Sequence, residues 1–181
     1  HACLLAIAVI LGGACSAPGP VVRKQGDLVD IQKVAILPYI NMSDLHGADI
    51  GVRSPITGRV FVTGPVKDQA DRFLTDQLIS RVQQDTDLKT VPSRDAESIL
   101  DSLAHVEGQR LSRSQKIART GKRLGADGIM LGHVYRFRER SGGGMASASP
   151  SSVAFDLYLI DCRQERVLWS AFYDYTQQPL S

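Results

Sequence analysis

Apolar positions along this chain change their spacing about two thirds of the way through. Before residue 128 they come as short runs or at helical intervals; after it they alternate with polar positions over long stretches. The first run, "KVAILPYI" (residues 33–40), reads as a buried strand, with Pro38 near its end marking an edge or a bulge. Residues 41–58 are rich in Gly, Pro and Asp and read as a long loop, and residues 59–64 hold a short strand. Pro65 suits a first helical position and opens the clearest helix. Val66, Ala70, Phe73, Leu74, Leu78 and Val82 fall on one face of it, with Phe73 and Leu74 at the centre of the expected core contact. Residues 87–91 return as a strand. Ser93 caps a second helix carrying Ile99, Leu100 and Leu103. Ser114 starts a third through Ile117, Ala118 and Leu124, and Gly125 stops it.

The remainder is β. Residues 128–140 form a long strand, residues 141–152 a Gly/Ser loop. In "VAFDLYLID", Val153, Phe155, Leu157 and Leu159 share a face; in "RVLWSAFYDYT", Val167, Trp169, Ala171, Tyr173 and Tyr175 do. The short connection between these two makes them an antiparallel hairpin. This order predicts a mixed α/β (α+β) domain. A single mixed sheet of about five strands carries its helices on one face and ends in an antiparallel meander.

The opening stretch follows a different rule. "HACLLAIAVILGGACSAPGP" has an apolar run about half as long as the roughly 20 residues a spanning helix needs. It matches the apolar core of a secretory leader, and Gly12, Gly13 and Ala14 are the small residues of a cleavage site before Cys15. The arrangement resembles a bacterial lipobox, with Gly12 where that pattern has leucine. It implies a lipidated Cys15 carrying several acyl chains, because one chain alone anchors weakly. A cleaved leader without lipid, and a buried N-terminal element with an ordinary core cysteine, stand as alternatives. The expected organisation is a leader over residues 1–14, Cys15 and a Pro/Gly-containing tether over 15–32, and one domain over 33–181.

Composition narrows function more by exclusion than by indication. A net charge of +2 gives no electrostatic case for a nucleic-acid partner. Once Cys3 leaves and Cys15 is acylated, Cys162 remains as a single thiol, expected in a turn and open at most to pairing between molecules. His46, His105 and His133 lack metal-ligand spacing, and His46 beside Asp44 and Asp49 reads as solvated loop. No nucleophile elbow, Walker or dinucleotide motif occurs, and no cofactor or catalytic residue is assigned. "SGGGMAS" lies between strands and lacks the helix N-terminus that a phosphate cradle uses. The sharpest surface feature is "RFRER". Strand alternation puts Arg136, Arg138 and Arg140 on one side, with Tyr135, Phe137 and Glu139 on the other. Such a row suits carboxylate or phosphate partners; the competing reading has the arginines bridging Asp156 or Asp174 on neighbouring strands.

The element order, with "VAILPYIN" entering it, "GADGIMLGHV" at the first late strand and "ERVLWSAFYDYTQQPL" at the end, resembles a group of bacterial envelope proteins. The group includes the curli-secretion lipoprotein CsgG, the lipoprotein activators of penicillin-binding proteins and the amino-terminal domain of TolB. The likeness covers roughly residues 33–175 and is closest to uncharacterised lipoproteins of this type. It implies a non-catalytic lipoprotein facing the periplasm, more often at the outer than the inner membrane. Its implied partners are the membrane, through the lipid, and an envelope protein or further copies of itself. The stretches 141–152 and 41–64 lack the alternation of lipid-facing hairpins, so a pore is not expected. The alternative function is an envelope hydrolase or other enzyme with an unrecognised site. Pocketed acids would favour that alternative; a flat surface with exposed aromatics and arginines would favour binding.

Overall fold

The structure, a computed structural model, describes residues 19–27, 30–91, 112–140 and 150–177. The leader, Cys15, the Ser93-capped helix and the Gly/Ser loop at 141–149 lie outside the described residues. The described strands are β1 (Val21–Lys24), β2 (Lys33–Ile36), β3 (Ile40–Asn41), β4 (Gly51–Arg53), β5 (Val60–Val62), β6 (Lys89–Val91), β7 (Gly128–Arg138), β8 (Ser152–Asp161) and β9 (Arg166–Thr176). The described helices are α1 (Met42–His46), α2 (Ala70–Asp85) and α3 (Arg113–Arg123).

Seven strands form one mixed sheet in the order β1-β9-β8-β7-β2-β6, with β3 also paired to β7. β2 runs parallel to both β6 and β7, while β7, β8, β9 and β1 are antiparallel in turn. The mixed sheet and terminal meander follow the sequence reading, but the strand count does not. The expected run at 33–40 splits into β2 and β3, and Val21–Lys24, inside the expected tether, adds an edge strand on β9. The loop at 41–64 is also organised. Asn41 caps α1 by accepting from the amides of Ser43 and Asp44, and β4 pairs with β5 as a separate two-stranded ribbon.

Helices cover both faces of the sheet rather than one. In β2 the adjacent residues Ala35 and Val34 feed different cores. Ala35 packs with Ile117 and Ala118 of α3, Ile129, Leu131, Tyr158 and Ile160. Val34 and Ile36 pack with Val82, Leu78 and Ile79 of α2, Met130 and Leu159. A strand apolar at consecutive positions can only be satisfied by cover on both sides. The ribbon adds a third cluster on the α3 side, where Phe61 stacks on Tyr135 at 4.2 Å between ring centroids.

Two helices start differently from expectation. α2 begins at Ala70, not Pro65, because residues 65–67 are spent on the sheet: Phe137 N–H donates to Pro65 O and Lys67 N–H donates to Phe137 O. Its core-facing stripe is buried Ala70, Thr75 and Val82 with half-buried Leu78 and Ile79, and Phe73 is 54% exposed, outside the core. α3 starts from Ser112, not Ser114, through a reciprocal capping box with Gln115. Gly125, at φ +66°, ends it as expected. Within α3, Gly121 permits the helix to close on the sheet, since a Cβ there would collide with the Cys162 sulfur.

Candidate functional site

The expected arginine row is reshaped by a bulge. The β7–β8 register shifts between Val134 and Arg136, so Tyr135 and Arg136 both point to the α3 side. Tyr135 therefore shares the arginines' face instead of opposing them. Arg136 is built into the fold. Its guanidinium pairs with Asp174 at 2.6 Å, donates to Val62 O at 2.6 Å and bonds the Ser152 hydroxyl, clamping the ribbon to β8 and β9. Arg138 is half-buried and donates to Pro150 O at 3.1 Å. Arg140 is exposed beyond the end of β7. Of the expected bridging acids, Asp174 meets Arg136 and Asp156 does not.

Asp156 instead centres a buried polar network that sequence reasoning missed. Strand register sets His133 directly opposite it. Its carboxylate accepts from His133 Nδ1 at 2.7 Å and from the His133 amide at 3.2 Å, and from the hydroxyls of Tyr135 (2.8 Å) and Tyr158 (2.6 Å). Ser54, on the ribbon's turn, lies 2.7 Å from the Tyr158 hydroxyl. Burial first, and the Asp156 charge second, push the tyrosine pKa values of Tyr135 and Tyr158 well above their ordinary value, so both remain donors. With Nδ1 facing a carboxylate, the His133 proton sits there. Nε2 is buried and has no hydrogen-bond partner among the described residues. The His–Asp pair is closed to solvent, with relative exposures of 0% and 1%, so no substrate reaches it in this conformation. The available signal was modest: a lone Asp among apolar neighbours on the face of β8 that also carries Ala154, Tyr158 and Ile160.

Cys162 lies in the turn between β8 and β9, as expected, but its side chain is buried rather than open to another molecule. It is 1% exposed within the α3 core, and its amide donates to Asp127 O at 2.9 Å. Burial, with help from Asp161, pushes the thiol up to about 12, which leaves it unreactive and out of reach of another molecule. His46, Asp44 and Asp49 are exposed, and no group of three or more His, Cys, Asp or Glu side chains able to hold a metal occurs among the described residues.

The opposite face of the same sheet end carries aromatics. Phe137, Val153 and Tyr175 align across β7, β8 and β9, as do Phe155 and Tyr173 on β8 and β9. Phe155 and Tyr173 lie 5.8 Å apart between centroids, Tyr173 and Tyr175 6.2 Å, and Phe73 of α2 meets Phe137 edge-on at 6.4 Å. All of these sheet residues are half-buried, and Phe73 is exposed. Phe73 of α2 and the bridge from Val66 to Phe137 meet this ladder at its β7 edge. The half-buried rings keep part of their surface accessible.

No family model matches this chain, and no curated relative does. Solved structures do resemble it. A PelC variant dodecamer from Paraburkholderia phytofirmans superposes with a TM-score of 0.52 at 13% identity, covering 91% of this chain and 86% of that one. The LpoB C-terminal domain from Salmonella enterica gives 0.46 at 12%, covering 84% and 89%. Lipoprotein GNA1162 from Neisseria meningitidis gives 0.44 at 13%, covering 81% of each chain. The PelC match shows a shared fold. No described helix is long and apolar enough to cross a membrane.

Proposed function

We propose that this chain is a non-catalytic bacterial envelope lipoprotein. In this reading Cys15 carries the lipid, and the domain works in the periplasm, at the outer membrane, by binding another envelope protein or further copies of itself. The observation that carries the reading is the aromatic ladder of Phe137, Phe155, Tyr173 and Tyr175 with Phe73 beside it. Aromatic side chains supply large contact area at low entropic cost and are enriched where proteins bind one another. Arg138 and Arg140 close the same end of the strands and supply charge at the rim, and Arg136 completes the row by holding it in place. The buried His133–Asp156 pair acts as a structural tie in this reading, because its free imidazole nitrogen is closed to solvent and has no hydrogen-bond partner among the described residues. The fold shared with the PelC variant, whose structure is a dodecamer, supports such a role.

The test is crosslinking in intact envelopes followed by pull-down, comparing wild type with Phe155→Ser/Tyr173→Ser and with Cys15→Ser. The expected result is one dominant crosslinked species lost in the double variant, while Cys15→Ser moves the protein to the soluble fraction. A species at a multiple of this chain's mass identifies self-assembly, and any other mass a second protein. Crosslinking unchanged by the double variant would remove the aromatic face from consideration, and unchanged membrane association of Cys15→Ser would remove the anchor.

A further inference from the structure

On the α3 side of the sheet, away from the aromatic ladder, a cavity of about 210 Å³ opens between the ribbon's turn and the β1–β9 edge. Arg23 of β1, Thr57 and Arg59 of the turn, and Tyr158, Ser170 and Phe172 of the sheet line it. The Arg59 guanidinium lies 3.8 Å from the centroid of the Phe172 ring, and that of Arg23 lies 6.0 Å from the same centroid. A ring face attracts a cation by about 0.5–1 kcal/mol at an exposed site, but it does not cancel the repulsion between two cations gathered on it. Among the described residues neither arginine has a carboxylate in ion-pair range. Arg81, Arg136 and Arg163 each have one. The register that pairs Arg23 with Ser170 brings a hydroxyl to the same place. Ser170 is 3% exposed, and its side chain makes no hydrogen bond among the described residues.

The other polar groups nearby are already committed. Tyr158 donates to Asp156, the Thr57 hydroxyl lies 3.3 Å from the Tyr158 hydroxyl and accepts from the Arg59 amide, Gly58 N–H donates to Ser54 O, and the Asp156 carboxylate faces inward behind the tyrosine hydroxyl. What remains open to the cavity is two guanidinium forks and one hydroxyl, beside an apolar wall from Ala171 and Phe172.

We propose that this cleft binds a small oxyanion group, a carboxylate or a phosphate, held between Arg59 and Arg23 and hydrogen-bonded by Ser170. The guanidinium fork matches either group in two-point contact. An anion here relieves the repulsion between the arginines and occupies the hydroxyl. The apolar wall accommodates a carbon skeleton attached to the anion. This inference stands apart from the partner face and does not need it.

The test is titration of the full chain with inorganic phosphate and, separately, with succinate, followed by amide chemical shifts and calorimetry. The expected result is saturable binding of at least one probe at about millimolar Kd or tighter, with shifts centred on Arg59 and Ser170. Saturation by phosphate alone assigns a phosphoryl group, and by succinate alone a carboxylate. Arg23→Gln/Arg59→Gln should weaken binding by about tenfold or more without changing the melting temperature by more than a few degrees, since both side chains are exposed. Arg59→Lys should retain part of the affinity and confirms a charge-based site if the double variant proves unstable. No saturable binding of either probe, or binding unchanged in the folded arginine variants, overturns the proposal.

Discussion

The long strands β7, β8 and β9 have two ends that are built differently. Near Gly128, Ile160 and Leu168 they lie between α2 on one face and α3 on the other, and every residue of β8 from Leu157 to Asp161 is buried. Near Arg138, Ser152 and Tyr175 the ribbon covers one face only, and β8 alternates between buried and half-buried positions. The covered end holds aliphatic side chains, which pack densely and carry no unpaired polarity. The other end displays rings on its open face and polar clamps on its closed one. A domain that needed only to be stable would have no reason to concentrate aromatics where cover stops. The contrast therefore separates residues that hold the fold from residues available to a partner.

The strongest way to break this contrast is at the junction between the ends, where Asp156 ties His133 and Tyr158 to Tyr135. Asp156→Ala strands three side-chain donors in the interior and should cost about 3–5 kcal/mol by chemical denaturation. A loss below about 1 kcal/mol would mean that the network relaxes freely and the two ends are not coupled through it. The next test compares the ends directly. Ile129→Ala, at a fully buried site between α3 and β8, should cost about 2–5 kcal/mol, whereas Phe73→Ala, exposed beside the ladder, should cost less than about 1 kcal/mol. Equal losses would show that the open end contributes to the core after all.

The smallest expected effect sharpens the covered end through pH. Partial burial works against ionisation of Asp127, but the amides of Gln32 and Lys33 and the Arg163 guanidinium outweigh it and hold the carboxyl below its ordinary value. A carboxyl lowered in the folded state adds stability that is present above the unfolded pKa and is lost as pH falls through the folded one. Asp127→Asn should therefore melt below wild type near neutrality, with the gap closing in acid below the ordinary carboxylate value of ~3.9. Because Arg163 is largely exposed, the gap should be modest, and a gap independent of pH would reject the carboxylate as its source.

How much of this was legible in the sequence depends on which forces set each feature. Alternation over residues 153–175 and the short turn between the last two strands gave the meander, because period-two burial is written residue by residue. The two-sided cover is present in the consecutive apolar residues of "VAIL", but such a run specifies a buried strand without saying what lies on each side. The bulges were not legible. One at Tyr135 turns it onto the arginines' face, and one near Leu168 sends Val167 and Trp169 to different cores. Either shift depends on cross-strand hydrogen bonding, which no local pattern records. The same limit hid the candidate sites. His133 meets Asp156, and Arg23 meets Ser170, only once register is set. Phe73 joins the expected face only when Val66 is counted into the helical period; Val66 instead bridges β7, and the core-facing stripe of α2 runs through Thr75, Leu78, Ile79 and Val82. Val21–Lys24 lacked any signal, since all its side chains are exposed and its place is set by backbone pairing with β9.

That last strand has a mechanical consequence. β1 joins the first described segment of the chain to its last strand through a short ladder, continued by the amides of Gln25 and Gly26 on Leu168 O. No side chain of β1 is buried, so backbone hydrogen bonds, with the exposed Arg23–Phe172 contact, are what resist a pull on the chain ahead of Val21. Tension arriving from that direction loads this ladder before any core contact, and the ladder opens one pair at a time from Val21 opposite Phe172. Peeling it separates Arg23 from Ser170 and uncovers the long unpaired edge of β9, a strand ready to accept another. The seam between β1 and β9 thus behaves as a force-bearing clasp, whose release would dismantle the anion cleft while leaving the doubly covered core in place.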